Sequence, residues 1–214
     1  MSAPDLDAWP RLGDFMAGMA PAKIRRLWQQ DFARAISESA ARGRLLEIEA
    51  ALGSLGDEAW AALRQSVLGQ IHRRDPHHGW PQALDRLREA HAYQYLVGRG
   101  CKEIDFVPAT TATKTPDLRA ALGGAQILCE VKVIKVSGTA PLSPAFCTKL
   151  ATRLAEASAQ LRSVPESGTA QLLVYIILVF AETPPDLIVG HTRQAQAFAA
   201  TMRPPDVEIV FHVP

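Results

Sequence analysis

A pair of adjacent glycines, Gly123-Gly124, constrains the fold of this chain more than any other feature. The pair stands between two runs that have the character of β-strands, Thr115–Leu122 and Ala125–Val136. Two residues that both tolerate positive φ form the tight turns that match the twist of a β-hairpin. The sequence therefore predicts an antiparallel hairpin of fixed register, in which the numbers of paired residues sum to 247.

The elements around this hairpin predict an α/β fold. A helix (Leu84–Val97) and a short strand (Glu103–Val107) precede it, and a helix (Pro144–Val164) follows it. Gln171–Ala181 is apolar without alternation, which is typical of a central strand buried on both faces. The order helix, three strands, helix, strand predicts a mixed central sheet flanked by helices. A helix near Val189–Met202 and an edge strand at Val207–Val213 complete the chain.

The first 80 residues read as helical. Apolar residues follow Pro21 at steps of three and four, which is the spacing of one face of a helix; they are Ile24, Leu27, Trp28, Phe32, Ala35 and Ile36. Two more helices are predicted over Leu45–Leu52 and from Asp57 to Ile71. Pro76, Gly79 and Pro81 then interrupt the pattern. We therefore predict a helical region over 1–80 and an α/β core over 81–214.

Composition and charge exclude several classes of protein. With 48% hydrophobic and 21% charged residues, the chain has globular composition. The longest apolar run, Leu172–Ala181, is too short to span a bilayer, and the N-terminus lacks the pattern of a signal peptide. Three cysteines without a CxxC motif favour thiols in a reducing cytosol. We therefore expect a cytoplasmic protein without membrane association.

The small net charge of +1 conceals an uneven distribution along the chain. Charges balance over 1–80, whereas 81–164 carry +4 and 165–214 carry −3. A basic segment is suited to a polyanion such as nucleic acid, although a solvated basic surface gives the same count.

The predicted hairpin brings together residues that can carry chemistry. Asp117 and Glu130 have numbers that sum to 247, so their carboxylates are expected on one face, with Cβ atoms ~5 Å apart. Lys132 shares that face by the two-residue period, and so do the apolar Leu128, Ile134 and Val136. Two carboxylates and a lysine beside an apolar wall are the parts of a divalent-metal site with a proton handler. The alternative is a solvated Glu–Lys pair on a strand.

These residues resemble a known signature. Pro116-Asp117, twelve intervening residues and Glu130-Val131-Lys132 resemble the PD-(D/E)xK motif of the restriction-endonuclease-like nuclease superfamily. The resemblance covers about half of the chain and includes the αβββαβ order of that family's core. It implies that Asp117, Glu130 and the Val131 carbonyl hold Mg²⁺, with Mn²⁺ as substitute, and that Lys132 orients or deprotonates the attacking water. It also implies phosphodiester hydrolysis in nucleic acid, with DNA favoured because most relatives act on DNA.

The resemblance suggests further site residues on two helices. Glu89 resembles the acid that relatives supply to the metal and the catalytic site from the first core helix, although a surface glutamate is the alternative. On the second core helix, Lys149, Arg153, Glu156 and Gln160 form one polar stripe. Relatives place basic or amide side chains there to contact phosphate or water, so Lys149, Arg153 and Gln160 are nucleic-acid-binding candidates. An ordinary solvated helix face explains the stripe as well.

Two rival interpretations keep the same fold. One is a catalytically inactive binding or scaffold subunit, and the other is a component of a larger repair, restriction or phage-defence complex. The N-terminal helices have two candidate roles, which are to set the substrate geometry and to form a homodimer contact.

Three other features carry less chemistry. The histidines His72, His77 and His78 lie in a Pro/Gly linker without a cysteine at ligand spacing, which disfavours zinc. Arg25-Arg26 and Arg73-Arg74 have balancing acids nearby, so a solvated surface is favoured over contacts to a DNA backbone. The four tryptophans, Trp9, Trp28, Trp60 and Trp80, are better placed in a core or interface than on a base-stacking surface.

Overall fold

The computed structural model describes residues 8–20, 22–71, 79–108, 115–137, 143–181 and 183–214. Its internal contacts divide the chain into two compact units, Met1–Tyr95 and Leu96–Pro214. The first unit is helical and the second contains the sheet.

The first unit is built from helices. They are α1 (Pro10–Ala17), α2 (Ala22–Ser37), α3 (Ser39–Gly53), α4 (Asp57–Ile71), α5 (Gly79–Leu87) and the start of α6 (Glu89–Gly98). Aromatic side chains fill its interior, where Trp9 meets Phe32 and Phe15 meets Trp28 edge-to-face, with ring centroids 5.3 Å and 5.7 Å apart. Trp60 is buried as well. Three of the four tryptophans are therefore core residues, and the side chain of Trp80 lies outside the described part.

Helix α1 was not predicted from the sequence, and its first turn is capped by another helix. Trp9 precedes α1 and offers no side-chain cap. The Glu49 carboxylate, on α3, instead accepts hydrogen bonds from the backbone N–H groups of Arg11 and Leu12 at 2.8 Å and 2.9 Å. A negative charge at the first turn also complements the helix dipole. One buried glutamate thus joins α1 to α3.

The predicted helix Leu84–Val97 is divided in two at Arg88. The guanidinium of Arg88 is buried and pairs with Asp85 at 3.0 Å. Burial lowers the pKa of Arg88. Helix α5 packs against α4, so the helical layer continues past the predicted boundary at 80/81. The compact units separate at Tyr95/Leu96 instead, and the segment 72–78 lies outside the described residues.

The second unit is a mixed five-stranded sheet. Its strands are β1 (Lys102–Phe106), β2 (Leu118–Leu122), β3 (Ala125–Ser137), β4 (Gln171–Ala181) and β5 (Val207–His212). They lie in sequence order across the sheet. The pairs β1–β2 and β2–β3 are antiparallel, whereas β3–β4 and β4–β5 are parallel. The prediction of an α/β fold with a mixed sheet is confirmed.

The hairpin register is the one that the glycine pair predicts. Gly123 and Gly124 both adopt positive φ, +59° and +85°. Every β2–β3 pair, from Leu122↔Ala125 to Leu118↔Cys129, sums to 247. Glu130 and Lys132 share one face of β3 because side chains alternate along a strand with a period of two residues.

Two helices cover one face of the sheet. Helix α7 (Pro144–Arg162) connects β3 to the parallel strand β4, and α8 (Pro185–Met202) connects β4 to β5. Leu128, Ile134 and Val136 of β3 pack with apolar residues of both helices. Both sets of alternating side chains on β4 are buried, as predicted for a central strand. Among the described residues, no helix has the length and apolarity needed to cross a bilayer.

Candidate metal and catalytic site

The candidate site centres on Glu130, which lies in the apolar face that β3 presents to α7. Its side chain is 3% exposed, and that of Lys132 is 20% exposed. The Lys132 Nζ donates to Glu130 Oε1 at 2.6 Å. A carboxylate this deeply buried requires a cation or hydrogen-bond donors nearby, and Lys132 supplies both. The predicted solvated Glu–Lys pair is therefore inconsistent with the burial of Glu130.

Asp117 lies beside Glu130 but is not its ladder partner. The β2–β3 ladder ends at Leu118, because the chain bends at Asp117 and Pro116 has no N–H to donate. The Asp117 N–H donates to the Cys129 carbonyl at 3.0 Å. Its Oδ2 accepts from the Val131 N–H at 2.8 Å. Asp117 is therefore hydrogen-bonded to the residues on either side of Glu130. Asp117 itself is 9% exposed.

The backbone carbonyl of Val131 points to the same side of β3 as the bond to Asp117. In a strand, the N–H and C=O of one residue point to the same side. Since the Val131 N–H points to Asp117, its carbonyl also points to that side, beyond the end of β2 and away from β4. The site thus combines two carboxylates and one carbonyl.

Gln160, on α7, completes the network around Glu130. Its Nε2 donates to Glu130 Oε2 at 2.6 Å and to the Thr115 carbonyl at 2.7 Å. Thr115 belongs to the segment that leads into Asp117, so one amide joins α7, β3 and this segment. Both amide hydrogens of Gln160 are used in these bonds, which leaves none to donate to a phosphate. The arrangement favours a positioning role for Gln160 over the predicted nucleic-acid contact.

Lys149 and Arg153 share the helix with Gln160 but are remote from Glu130. Both side chains are exposed, and Arg153 pairs with Glu156 at 2.9 Å. At 1.5 Å per residue, Lys149 lies ~16 Å from Gln160 along the helix axis and Arg153 ~10 Å. The predicted polar stripe is real, but only Gln160 reaches the carboxylate. Contacts from Lys149 and Arg153 to a nucleic acid long enough to reach them stay a prediction.

Glu89 begins α6, and its surroundings belong to the first unit. Its side chain is 4% exposed and pairs with Arg86 at 2.5 Å. Glu89 is therefore a buried, ion-paired carboxylate, not the exposed surface residue that was its alternative. Its proposed role as a metal ligand stays a prediction.

The oxygen atoms of this site are ligands of the type that a hard divalent cation prefers. Mg²⁺ prefers oxygen ligands and is commonly held by one or two carboxylates, with water and phosphate oxygens at the remaining positions. Asp117, Glu130 and the Val131 carbonyl match that description, and the Val131 N–H fixes one oxygen of Asp117. Across the described ranges, no group of three or more His, Cys, Asp or Glu side chains is arranged to hold a metal ion. Within those ranges the side-chain ligands brought together here are the two carboxylates of Asp117 and Glu130.

The minor candidates add little to this site. His72, His77, His78, Arg73 and Arg74 lie outside the described residues. Arg26 is exposed on α2 and Arg25 is half-buried there. One contributor was missed by sequence reasoning, the carbonyl of Thr115, because a backbone oxygen in a loop has no sequence signature.

Comparisons with known proteins neither support nor oppose these assignments. No protein-family model, curated protein or solved structure matches the chain.

Proposed function

We propose that this chain is a metal-dependent nuclease that hydrolyses phosphodiester bonds in nucleic acid. The observation that carries the proposal is the joining of Asp117 to the Glu130–Val131 segment, with Lys132 Nζ 2.6 Å from the Glu130 carboxylate. The order α6, β1, β2, β3, α7, β4 also resembles the αβββαβ core of the restriction-endonuclease-like fold.

In this proposal the chain's own residues bind the cation, orient the water and exclude solvent. Asp117, Glu130 and the Val131 carbonyl hold Mg²⁺, or Mn²⁺ in its place. The bound ion supplies Lewis-acid polarisation of the phosphate and lowers the pKa of water. Lys132 orients the attacking water as an ammonium, or takes the proton of that water after losing one of its own to solvent. The apolar wall of Leu128, Ile134 and core residues of α7 limits solvent around Glu130, which strengthens its attraction for cations.

DNA is the favoured substrate, on the strength of the family resemblance. The segment 81–164, which contains the site, carries a net charge of +4. Lys149 and Arg153 lie exposed on the same helix as Gln160, where they can contact a phosphate backbone that extends from the site.

The experiment compares Lys132→Met with Lys135→Met in metal-dependent cleavage and in substrate binding. Lys135 lies on the same strand, three residues on, and is exposed. We expect Lys132→Met to lose cleavage by about a hundredfold or more, the typical contribution of a positioned acid–base group, while it still binds nucleic acid. We expect Lys135→Met to cut as the wild type does.

The same comparison tests the rival function. An inactive scaffold subunit would bind nucleic acid or a partner equally well with either substitution and would cut nothing. Cleavage that is equal in the two variants would remove Lys132 from the mechanism and contradict the proposal.

A further inference from the structure

We propose that the Lys132 ammonium occupies the cation position on Glu130 until a divalent ion binds, and that the ion displaces Lys132 but not Gln160. This inference rests on the proposed metal site and specifies how that site is loaded.

Both oxygens of Glu130 accept hydrogen bonds. Lys132 Nζ lies 2.6 Å from Oε1, and Gln160 Nε2 lies 2.6 Å from Oε2. A divalent ion that coordinates this carboxylate must therefore share it with one or both donors.

Charge decides which donor leaves. Mg²⁺ sits about 2.1 Å from its oxygen ligands, so an ion on Oε1 would lie within about 5 Å of an ammonium on the same oxygen. Two cations at that distance repel strongly beside a carboxylate that is 3% exposed, where solvent screening is weak. The Gln160 amide is neutral and can share Glu130 with the ion.

The other contacts of Gln160 and Lys132 also favour the displacement of Lys132. Gln160 is fixed by its second bond, to the Thr115 carbonyl at 2.7 Å, and the flanking Ala157 and Leu161 are fully buried. Lys132 has a long, flexible stem, is 20% exposed, and pairs with Glu130 alone within the described part of the chain. Its ammonium can move towards solvent without breaking another bond.

The exchange has a consequence for the proposed reaction. Before metal binds, the lysine is held on the carboxylate and cannot act on water. An ion bound to Glu130 would release the ammonium, which the lysine stem keeps near that carboxylate. Lys132 would therefore become available to the attacking water only once an ion is bound, and until then its ammonium compensates the charge of the buried Glu130.

The first test measures Mn²⁺ affinity by titration calorimetry for the wild type, Lys132→Met and Gln160→Met. Removal of the competing ammonium should lower the Kd of Mn²⁺ by about tenfold or more, because it deletes a like charge from a weakly screened site. Gln160→Met has the same unbranched shape without a donor, and it should leave the Kd unchanged or raise it. An unchanged or raised Kd in Lys132→Met would overturn the proposal.

The second test uses the wild type, so it remains decisive if Lys132→Met does not fold. The side-chain Cε and Nζ resonances of Lys132 are followed by NMR while Mg²⁺ alone is added. We expect these signals to shift and sharpen in step with Mg²⁺ saturation, as a released side chain gains mobility. Signals that stay unchanged at saturation would refute the displacement of Lys132.

The two proposals can fail separately. If the wild type cuts nucleic acid while Lys132 neither moves nor competes, the nuclease stands and the exchange is wrong. If Lys132 is displaced by Mg²⁺ but no substrate is cut, the exchange stands and the nuclease is wrong. If no folded variant binds a divalent ion, both proposals fail.

Discussion

Glu103 shows how one residue can store strain at an exposed position. It adopts φ of +50° in β1, where the β1–β2 register shifts between Lys102 and Asp105. A side chain in this left-handed region costs roughly 1–2 kcal/mol, least for asparagine and most for a β-branched residue. The bulge also makes the edge strand a poor template for pairing with another sheet.

We therefore expect opposite effects from two substitutions at Glu103. Glu103→Asn should leave the free energy of unfolding unchanged or raise it by up to about 0.5 kcal/mol, whereas Glu103→Val should lower it by about 1 kcal/mol or more. Urea denaturation measures both. Equal stability of the two variants would show that the left-handed conformation is not retained.

The sequence predicts which side chains form the candidate site better than it predicts the contacts that they make. The sequence predicts Glu130 and Lys132 on one face of a strand, because residues two apart in a strand always share a face. Gln160 was identified from its stripe, but its role was not, because its rotamer and its bond to the Thr115 carbonyl depend on how α7 packs on the sheet. Asp117 was expected in the ladder, and Pro116 ends the ladder one residue earlier.

At the scale of elements, the junction of α1 and α3 depends on a single carboxylate. Glu49 accepts from two backbone N–H groups of α1 and is 9% exposed. Glu49→Ala would leave the buried N–H of Leu12 and the partly buried N–H of Arg11 without this acceptor. We expect it to lower the free energy of unfolding by about 2 kcal/mol, the usual cost of a lost cap with unsatisfied donors.

Glu47→Ala is the matched control on the same helix. Glu47 is exposed, and the partial burial of its carboxylate outweighs the attraction of Arg88 and Arg44 and raises its pKa, so its negative charge does not stabilise the fold. We expect a change within about 0.5 kcal/mol for Glu47→Ala in the same urea experiment. If both variants lost equal stability, helix propensity rather than the cap would explain the result.

Elements with local signals were predicted well, and elements fixed by packing were not. Strand β4 and the turn at Gly123-Gly124 carry their signal in adjacent residues, and both were confirmed. The division of the predicted helix Leu84–Val97 at Arg88 was missed, because the residues on both sides of the break have helical periodicity. Helix α1 was missed because its cap comes from α3.

At the scale of the whole molecule, stability should fall on mild acidification because of His212. Burial lowers the pKa of His212 below its usual 6.5. The unfolded chain therefore binds a proton at pH values where the folded protein does not. The contribution of His212 to the free energy of unfolding is highest above pH 6.5, falls from there down to the folded pKa, and is constant below it.

His212→Phe tests this pH dependence. Phenylalanine retains an aromatic ring beside Tyr175, whose ring centroid lies 5.9 Å from that of His212, and it cannot titrate. The loss of stability between about pH 7.5 and about pH 5.5, measured by urea denaturation, should be smaller in the variant. An equal loss in both proteins would assign the effect to other groups.

The central claim, a metal-dependent nuclease site at Asp117 and Glu130, is tested most directly by one cleavage experiment. Labelled single-stranded DNA, duplex DNA and RNA are incubated with the wild type and with Asp117→Asn, in Mn²⁺ or in EDTA. Asparagine keeps a side-chain oxygen for the Val131 N–H, so the variant should fold. We expect Mn²⁺-dependent cutting of at least one substrate, lost in EDTA and reduced by about a hundredfold or more in Asp117→Asn. No cutting by folded wild type, or equal cutting by the variant, would contradict the claim.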